Sequence, residues 1–146
     1  MRVDGAVAAA HQAPDNPVAL NAAWWAYSLT RADREAAEAA RTYLRLYGDR
    51  TVDESFDRGY AQGGYREGMK RAAQALAARS RTASVLPSDV AQLFLQAGET
   101  ATAMDWLDRA FEYRDPNLPY LRLPIYDPLR ADPRFQSLVR RMGLPQ

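Results

Sequence analysis

Small residues recur at fixed distances after three predicted turns, and this pattern most constrains how the chain can fold. The turns fall at Arg31, Gly63 and Gly98, which are 32 and 35 residues apart. Small side chains let two helices cross closely, and self-similarity at a fixed period indicates a repeat architecture. We therefore predict a series of antiparallel helix pairs. The positions five residues beyond the turns are Ala36, Gly68 and Ala103, and those nine residues beyond are Ala40, Ala72 and Leu107.

Composition favours a single all-α domain. The 146 residues include 27 alanines and 18 arginines but only one lysine and one isoleucine, a bias toward helix formers and away from β-branched residues. The formal net charge of +1 predicts neither a nucleic-acid partner nor binding to an anionic membrane. The lack of cysteine excludes disulfides, thiolate metal sites and thiol catalysis. No segment approaches the ~20 apolar residues of a membrane span, so we expect a cytoplasmic protein.

Hydrophobic periodicity divides the chain into helical segments joined by short turns. Asn16 followed by Pro17 is typical of an N-cap and a first-turn proline, and Asp132 followed by Pro133 predicts the start of a closing helix that ends at Gly143. Six of the nine prolines lie after residue 115, which predicts an extended run over residues 115–126. The predicted helices before this run are residues 4–13, 17–30, 33–47, 52–61, 64–80, 87–97 and 100–113.

The first and last helix pairs share an order of large, small and aromatic positions. In residues 17–50 these positions are Leu20, Ala23, Trp24 and Tyr27, although glycine is usual where Trp24 stands. This order resembles the tetratricopeptide repeat family, whose period is 34 residues. A degenerate middle repeat is expected at residues 51–83. The last repeat, residues 84–116, matches at Pro87, Val90, Ala91, Phe94, Gly98, Ala103, Leu107 and Ala110, with proline in place of the expected tryptophan.

The C-terminal segment strengthens this resemblance. It contains "RDPNLPYL", "DPLRADPRFQSL" and "RRMGLP", which resemble the ending that follows the final tetratricopeptide repeat in bacterial signalling proteins such as serine/threonine kinases, cyclases and winged-helix transcriptional activators. Repeat arrays need a cap, because a terminal unit otherwise leaves an apolar face in water. The resemblance therefore implies a single domain, residues 1–146, in which residues 117–146 cap a superhelix.

The resemblance also implies a binding surface, since the first helices of this family line a concave groove. Trp24 is expected in the core and Trp25 exposed in that groove. Two acids in the groove favour a neutral or basic peptide. The alternative is that these positions merely pack between helices or are solvated. The groove residues are Asn21, Trp25 and Ser28 from the first repeat, Asp53, Asp57 and Tyr60 from the second, and Gln92, Leu95 and Gln96 from the third.

Few residues could carry catalysis. His11, the only histidine, is the one candidate base for a Ser-His-Asp arrangement, with Ser88 and Asp89 as companions far along the chain. A surface histidine is favoured, and a small hydrolase using His11 stays as the alternative from another functional class. The acidic run over residues 49–57 lacks the order of a calcium loop, so neither a metal nor another cofactor is predicted.

These patterns predict a non-catalytic module that binds a protein or peptide segment in the groove. The alternative within binding is a regulatory or self-association tail of a larger bacterial signalling protein. Residues 1–16 match only the second helix of a repeat, which indicates half a repeat with an alanine-lined face. We predict that the chain dimerises through residues 6–13, with a frayed N-terminus on a monomer as the alternative.

Overall fold

A computed structural model describes residues 5, 8, 12, 16–45 and 50–144, and these residues contain helices and no strand. The prediction of an all-α chain is therefore confirmed. The predicted half repeat at residues 1–16, its helix at 4–13, the dimer contact through 6–13 and His11 lie outside the described residues, apart from Asn16 and the exposed helical positions Gly5, Ala8 and Gln12. The helices are α1 (Pro17–Leu29), α2 (Asp33–Arg45), α3 (Arg50–Arg79), α4 (Pro87–Gln96), α5 (Thr100–Tyr113) and α6 (Pro133–Arg141), with 3₁₀ helices at Leu118–Arg122 and Pro124–Leu129.

Local sequence signals set the ends of several helices. The Asn16 side chain accepts hydrogen bonds from the backbone N–H groups of Val18 (2.9 Å) and Ala19 (3.3 Å), as the predicted N-cap of α1. The Asp132 carboxylate accepts one from Arg134 N–H (2.8 Å) and caps α6. The turn after α1 places Arg31 at φ 58°, in the left-handed region. These two predicted caps and this predicted turn are confirmed.

A glycine divides α3 into two arms. Gly64 has φ 83° and ψ −163°, outside the helical region, and separates a first arm (residues 50–63) from a second arm (residues 65–79). A Cβ atom at Gly59 would lie 2.6 Å from the carbonyl oxygen of Glu67, and one at Gly68 would lie 3.0 Å from the Phe56 ring. Gly59 and Gly68 therefore let the two arms cross so closely that their backbones touch. This close crossing explains why the second arm contains Gly68.

Each helix packs against the next one along the chain, and one apolar core runs through all of them. The predicted small positions lie at these helix contacts. Close helix packing at small residues is therefore confirmed, because a larger side chain at a fully buried position would force the helices apart. The buried members are Ala36, Ala40, Gly68, Ala72 and Ala103.

The C-terminal segment folds back over the end of the helical array. Its two 3₁₀ helices each begin with proline near the first turn, and they replace the extended run predicted for residues 115–126. Proline fixes φ near −65°, a value that suits a 3₁₀ helix as well as an extended chain. The amphipathic α6 packs beside α5. The buried side chains of this segment are Leu118, Leu121, Ile125, Tyr126, Leu129, Phe135, Leu138 and Val139.

Candidate functional site

A pocket of about 400 Å³ lies where α1, α2, α4 and the C-terminal segment meet. We call it the tyrosine pocket. One side comes from the first half of α1, and the facing side comes from the first half of α4 and the two 3₁₀ helices. Its lining residues are Val18, Asn21, Tyr43, Asp89, Gln92, Asn117, Tyr120, Leu123, Ile125 and Tyr126.

The rim of the tyrosine pocket is apolar and open to solvent. Val18, Tyr120 and Leu123 are 79%, 59% and 40% exposed, and they are three of the five large hydrophobic residues that are exposed in the described part of the chain. The other two, Leu29 and Tyr113, lie elsewhere. Clustered exposed apolar side chains are typical of binding surfaces, whereas single ones are common on any protein. The rim can therefore hold an apolar side chain of a partner.

The floor of the pocket carries amide and phenol groups. The Asn21 Nδ2 group donates a long hydrogen bond to Gln92 Oε1 (3.5 Å), which joins α1 to α4 across 71 positions of sequence. Tyr126 lines the same pocket, and burial raises the pKa of its hydroxyl. Asn117 adds a further amide, and its Nδ2 donates to Ser88 Oγ (3.0 Å). Such groups can pair with the backbone of an extended peptide.

One ionisable acid gives the tyrosine pocket its charge. Burial, followed by the neighbouring charge of Asp115, raises the pKa of Asp89 from 3.8 to about 6. The Asp115 carboxylate is itself buried, and it accepts hydrogen bonds from the backbone N–H groups of Ser88 (2.8 Å) and Asn117 (2.9 Å). Asp115 thus ties the start of α4 to the C-terminal segment. Because no arginine or lysine is among the lining residues, the pocket is negative at neutral pH.

The structure divides the nine predicted groove residues among four places: two pockets, the core and the surface that faces α2. Asn21 and Gln92 line the tyrosine pocket. Ser28, Leu95 and Gln96 lie together around a second pocket at the other ends of α1 and α4. Since the first halves of α1 and α4 share one pocket and their last turns share another, the two helices run in the same direction.

Trp25 is buried, and the expectation that it is exposed is wrong. Its exposed fraction is 3%, against 0% for Trp24, and the two rings lie 5.7 Å apart. Residues 22–26 of α1 are all apolar. Five consecutive positions point to every side of a helix, so this part of α1 packs against the protein on more than one side. Trp24 is in the core as predicted. The indole nitrogen of Trp25 has no hydrogen-bond partner in the described part of the chain.

The three residues predicted from the second repeat face α2 and line neither of these pockets. Asp57 forms an ion pair with Arg41 (2.7 Å), and Asp53 forms one with Arg45 (3.4 Å). The Arg41 guanidinium also lies 4.9 Å from the centre of the Tyr60 ring. The two acids are therefore neutralised locally, and the charge that would attract a basic peptide comes from Asp89 instead.

Sequence reasoning missed the C-terminal part of the tyrosine pocket. Tyr120, Leu123, Ile125 and Tyr126 were assigned only to a cap, and Asp89 only to a hydrolase arrangement. The signal in the sequence was "PYLRLPIY", which contains more apolar and aromatic residues than a short cap needs to bury. Nothing in a local pattern indicates that this segment folds back to α1.

The residues of the alternative catalytic arrangement can be located only in part. Ser88 is 1% exposed, and its hydroxyl oxygen accepts a hydrogen bond from Asn117. His11 is not among the described residues. Within the described ranges there is no group of three or more His, Cys, Asp or Glu side chains placed to hold a metal ion. No described helix is long and apolar enough to cross a membrane.

Comparisons of the chain with protein-family models, curated proteins and solved structures found no match in any of the three. The resemblance to tetratricopeptide repeats therefore rests on the residue pattern of this chain, and membership of that family stays a prediction.

Proposed function

We propose that the protein is a non-catalytic interaction module, a tetratricopeptide-like array whose tyrosine pocket binds an extended peptide segment of a partner protein. The observation that carries this proposal is the combination of an exposed apolar rim with a polar floor in one pocket. The rim of Val18, Tyr120 and Leu123 supplies contact area for an apolar anchor. The floor supplies amides that pair with the backbone of the same peptide.

The charge of the pocket favours a neutral or basic segment. Asp89 is the one ionisable acid in the lining, and a lysine or arginine beside the anchor would offset its charge. An acidic segment would place a second negative charge against a half-buried carboxylate. The partner we propose therefore carries a large apolar residue next to a lysine or arginine.

Selection from a displayed library of random peptides tests this proposal. We expect the selected peptides to combine a large apolar residue with a basic one. Tyr120→Ala should weaken binding of a selected peptide about tenfold, since that loss corresponds to about 1.4 kcal/mol of contact at an anchor. Tyr113→Ala is the matched control, because Tyr113 is equally exposed (58%) and lies outside the pocket. Selection of acidic peptides, or equal losses in the two variants, would contradict the proposal.

The pH dependence of binding gives a second test. Below pH 6 Asp89 is mainly protonated and neutral, and above pH 6 it is mainly ionised. We therefore expect a basic peptide to bind more tightly at pH 7.5 than at pH 5, and Asp89→Asn to remove most of that difference. Fluorescence anisotropy of a labelled peptide without histidine or acidic residues measures it. An unchanged pH profile in Asp89→Asn would exclude Asp89 from the contact.

A further inference from the structure

A second pocket lies at the other ends of α1 and α4, where the chain turns. We call it the turn pocket. Its volume is about 710 Å³, and it shares no lining residue with the tyrosine pocket. Three of its lining residues have positive φ angles and belong to turns, namely Arg31 (58°), Gly64 (83°) and Gly98 (81°). The lining residues are Ser28, Arg31, Asp33, Gly63, Gly64, Tyr65, Arg66, Leu95, Gln96 and Gly98.

A buried amide in this lining lacks a partner. Gln96 is 6% exposed, and its Nε2 group makes no hydrogen bond with any described residue. Its Oε1 atom accepts a hydrogen bond from the Tyr65 hydroxyl (2.5 Å). That hydroxyl oxygen in turn accepts one from Trp24 Nε1 (2.7 Å), and tryptophan can only donate. With Trp24 Nε1 donating to it, the Tyr65 hydroxyl directs its own proton to Gln96 Oε1, and the two N–H donors of Gln96 remain unused among the described residues.

An unused buried donor is costly, and nearly all buried polar groups in proteins have a partner. Gln96 gains no hydrogen bond by rotating its side-chain amide through 180°. After that rotation, its oxygen would lose the Tyr65 proton and would itself be unpaired. Gln96 Nε2 is therefore a buried donor that lacks an acceptor among the described residues.

The charges around the turn pocket indicate what kind of acceptor would suit Gln96. Arg31 and Arg66 both line it, and neither forms an ion pair or side-chain hydrogen bond within residues 16–45 and 50–144. Asp33 is the one acid in the lining, so the pocket has a net charge of +1. A single negative charge balances this pocket, whereas a phosphate, which carries nearly two, would leave about one negative charge unbalanced.

We propose that the turn pocket binds a carboxylate group, with Gln96 Nε2 and the guanidinium groups of Arg31 and Arg66 as its donors. The group belongs to an acidic side chain of a bound protein or to a small organic acid. Planar carboxylates accept paired hydrogen bonds from guanidinium and amide donors, so the chemistry of the three side chains matches one ligand group. This site is independent of the tyrosine pocket, and either proposal can fail alone.

The proposal is tested by titrating ¹⁵N-labelled full-length protein with N-acetyl-glutamate amide and, as the neutral isostere, with N-acetyl-glutamine amide. We expect the glutamate probe to produce saturable shifts of the Gln96 side-chain amide resonances and the glutamine probe to produce none. Acetate and inorganic phosphate are titrated in parallel. Equal affinity for acetate would identify a free carboxylate as sufficient, and tighter binding of the glutamate probe would identify an acidic side chain. Both results support the proposal, whereas tighter binding of phosphate would overturn it.

Charge-removing variants provide the control. Arg31→Gln and Arg66→Gln should each weaken the glutamate probe about tenfold, the usual effect of losing one charged hydrogen bond. Both arginines are exposed, so the variants should keep the fold of the parent, and circular dichroism verifies this. Arg81→Gln removes the same charge from an exposed residue that does not line the pocket and should leave binding unchanged. Equal weakening in all three variants, or in none, would overturn the proposal.

Discussion

The environment of single residues decides both the chemistry of the tyrosine pocket and part of the stability of the protein. Asp89 is the main example, because burial and the nearby Asp115 charge raise its pKa to about 6. A helix N-terminus normally favours a carboxylate, and Asp89 lies in the first turn of α4. The raised pKa means that burial outweighs that favourable effect. Ionisation of Asp89 is therefore unfavourable in the folded protein, and residues with such shifted pKa values are common at binding sites.

Replacing Asp89 should stabilise the protein at neutral pH. Because the pKa of Asp89 is about 6 when folded and close to 3.8 when unfolded, the folded state retains a proton that the unfolded chain has lost between these values. Stability due to this residue is present below pH 3.8 and is lost as the pH rises through 6. We expect Asp89→Asn to raise the free energy of unfolding by about 1–3 kcal/mol at pH 7.5. Urea denaturation at pH 7.5 and pH 3.5 measures it, and an equal difference at both would contradict the account.

Tyr65 links two buried polar side chains and should be hard to replace. Tyr65→Phe would leave Trp24 Nε1 without its acceptor and Gln96 Oε1 without its donor. Each unpaired buried group costs about 1–3 kcal/mol, so we expect a loss of about 2–6 kcal/mol in the free energy of unfolding. Tyr120→Phe removes an exposed hydroxyl and is the control, with no measurable loss expected. Comparable denaturation midpoints for the two variants would show that the buried hydrogen bonds are unimportant.

At the scale of elements, glycines determine how the two arms of α3 cross. A Cβ atom at Gly59 would meet backbone atoms of Glu67 and Gly68 within 2.9 Å, and backbone cannot move aside as a flexible side chain can. We expect Gly59→Ala to destabilise the protein by about 2 kcal/mol, despite the better helix propensity of alanine. Gly5→Ala meets nothing within 4 Å and should be neutral or slightly stabilising in the same thermal melts. A stabilised Gly59→Ala variant would mean that the arms do not cross there.

Helix boundaries were largely predictable because their signals are local. The caps at Asn16 and Asp132 and the turn at Arg31 depend on neighbouring residues alone. The structure places the break inside α3 at Gly64, one residue beyond the predicted turn at Gly63, since either glycine can adopt a positive φ angle. The proline-rich segment was predicted as extended, and proline alone does not distinguish that state from a 3₁₀ helix.

At the scale of the whole molecule, the site was less predictable than the helices because it is built from distant parts of the chain. The hydrogen bond between Asn21 and Gln92 spans 71 positions, and no local pattern specifies it. The repeat register assigned Trp25 to an open groove, but the side chain is buried beside Trp24. Asn21 and Gln92 were identified because the register placed them on the facing sides of the first helices.

We propose that the tyrosine pocket, formed by α1, α4 and the C-terminal segment, binds a basic peptide with an apolar anchor. An NMR titration of the ¹⁵N-labelled protein with a library-selected peptide tests it most directly. We expect saturable shifts of the Asn21, Gln92 and Asn117 side-chain amides and of the Asp89 backbone amide. Shifts confined to the α2 and first-arm surface around Asp53 and Asp57, with the tyrosine pocket unchanged, would contradict it.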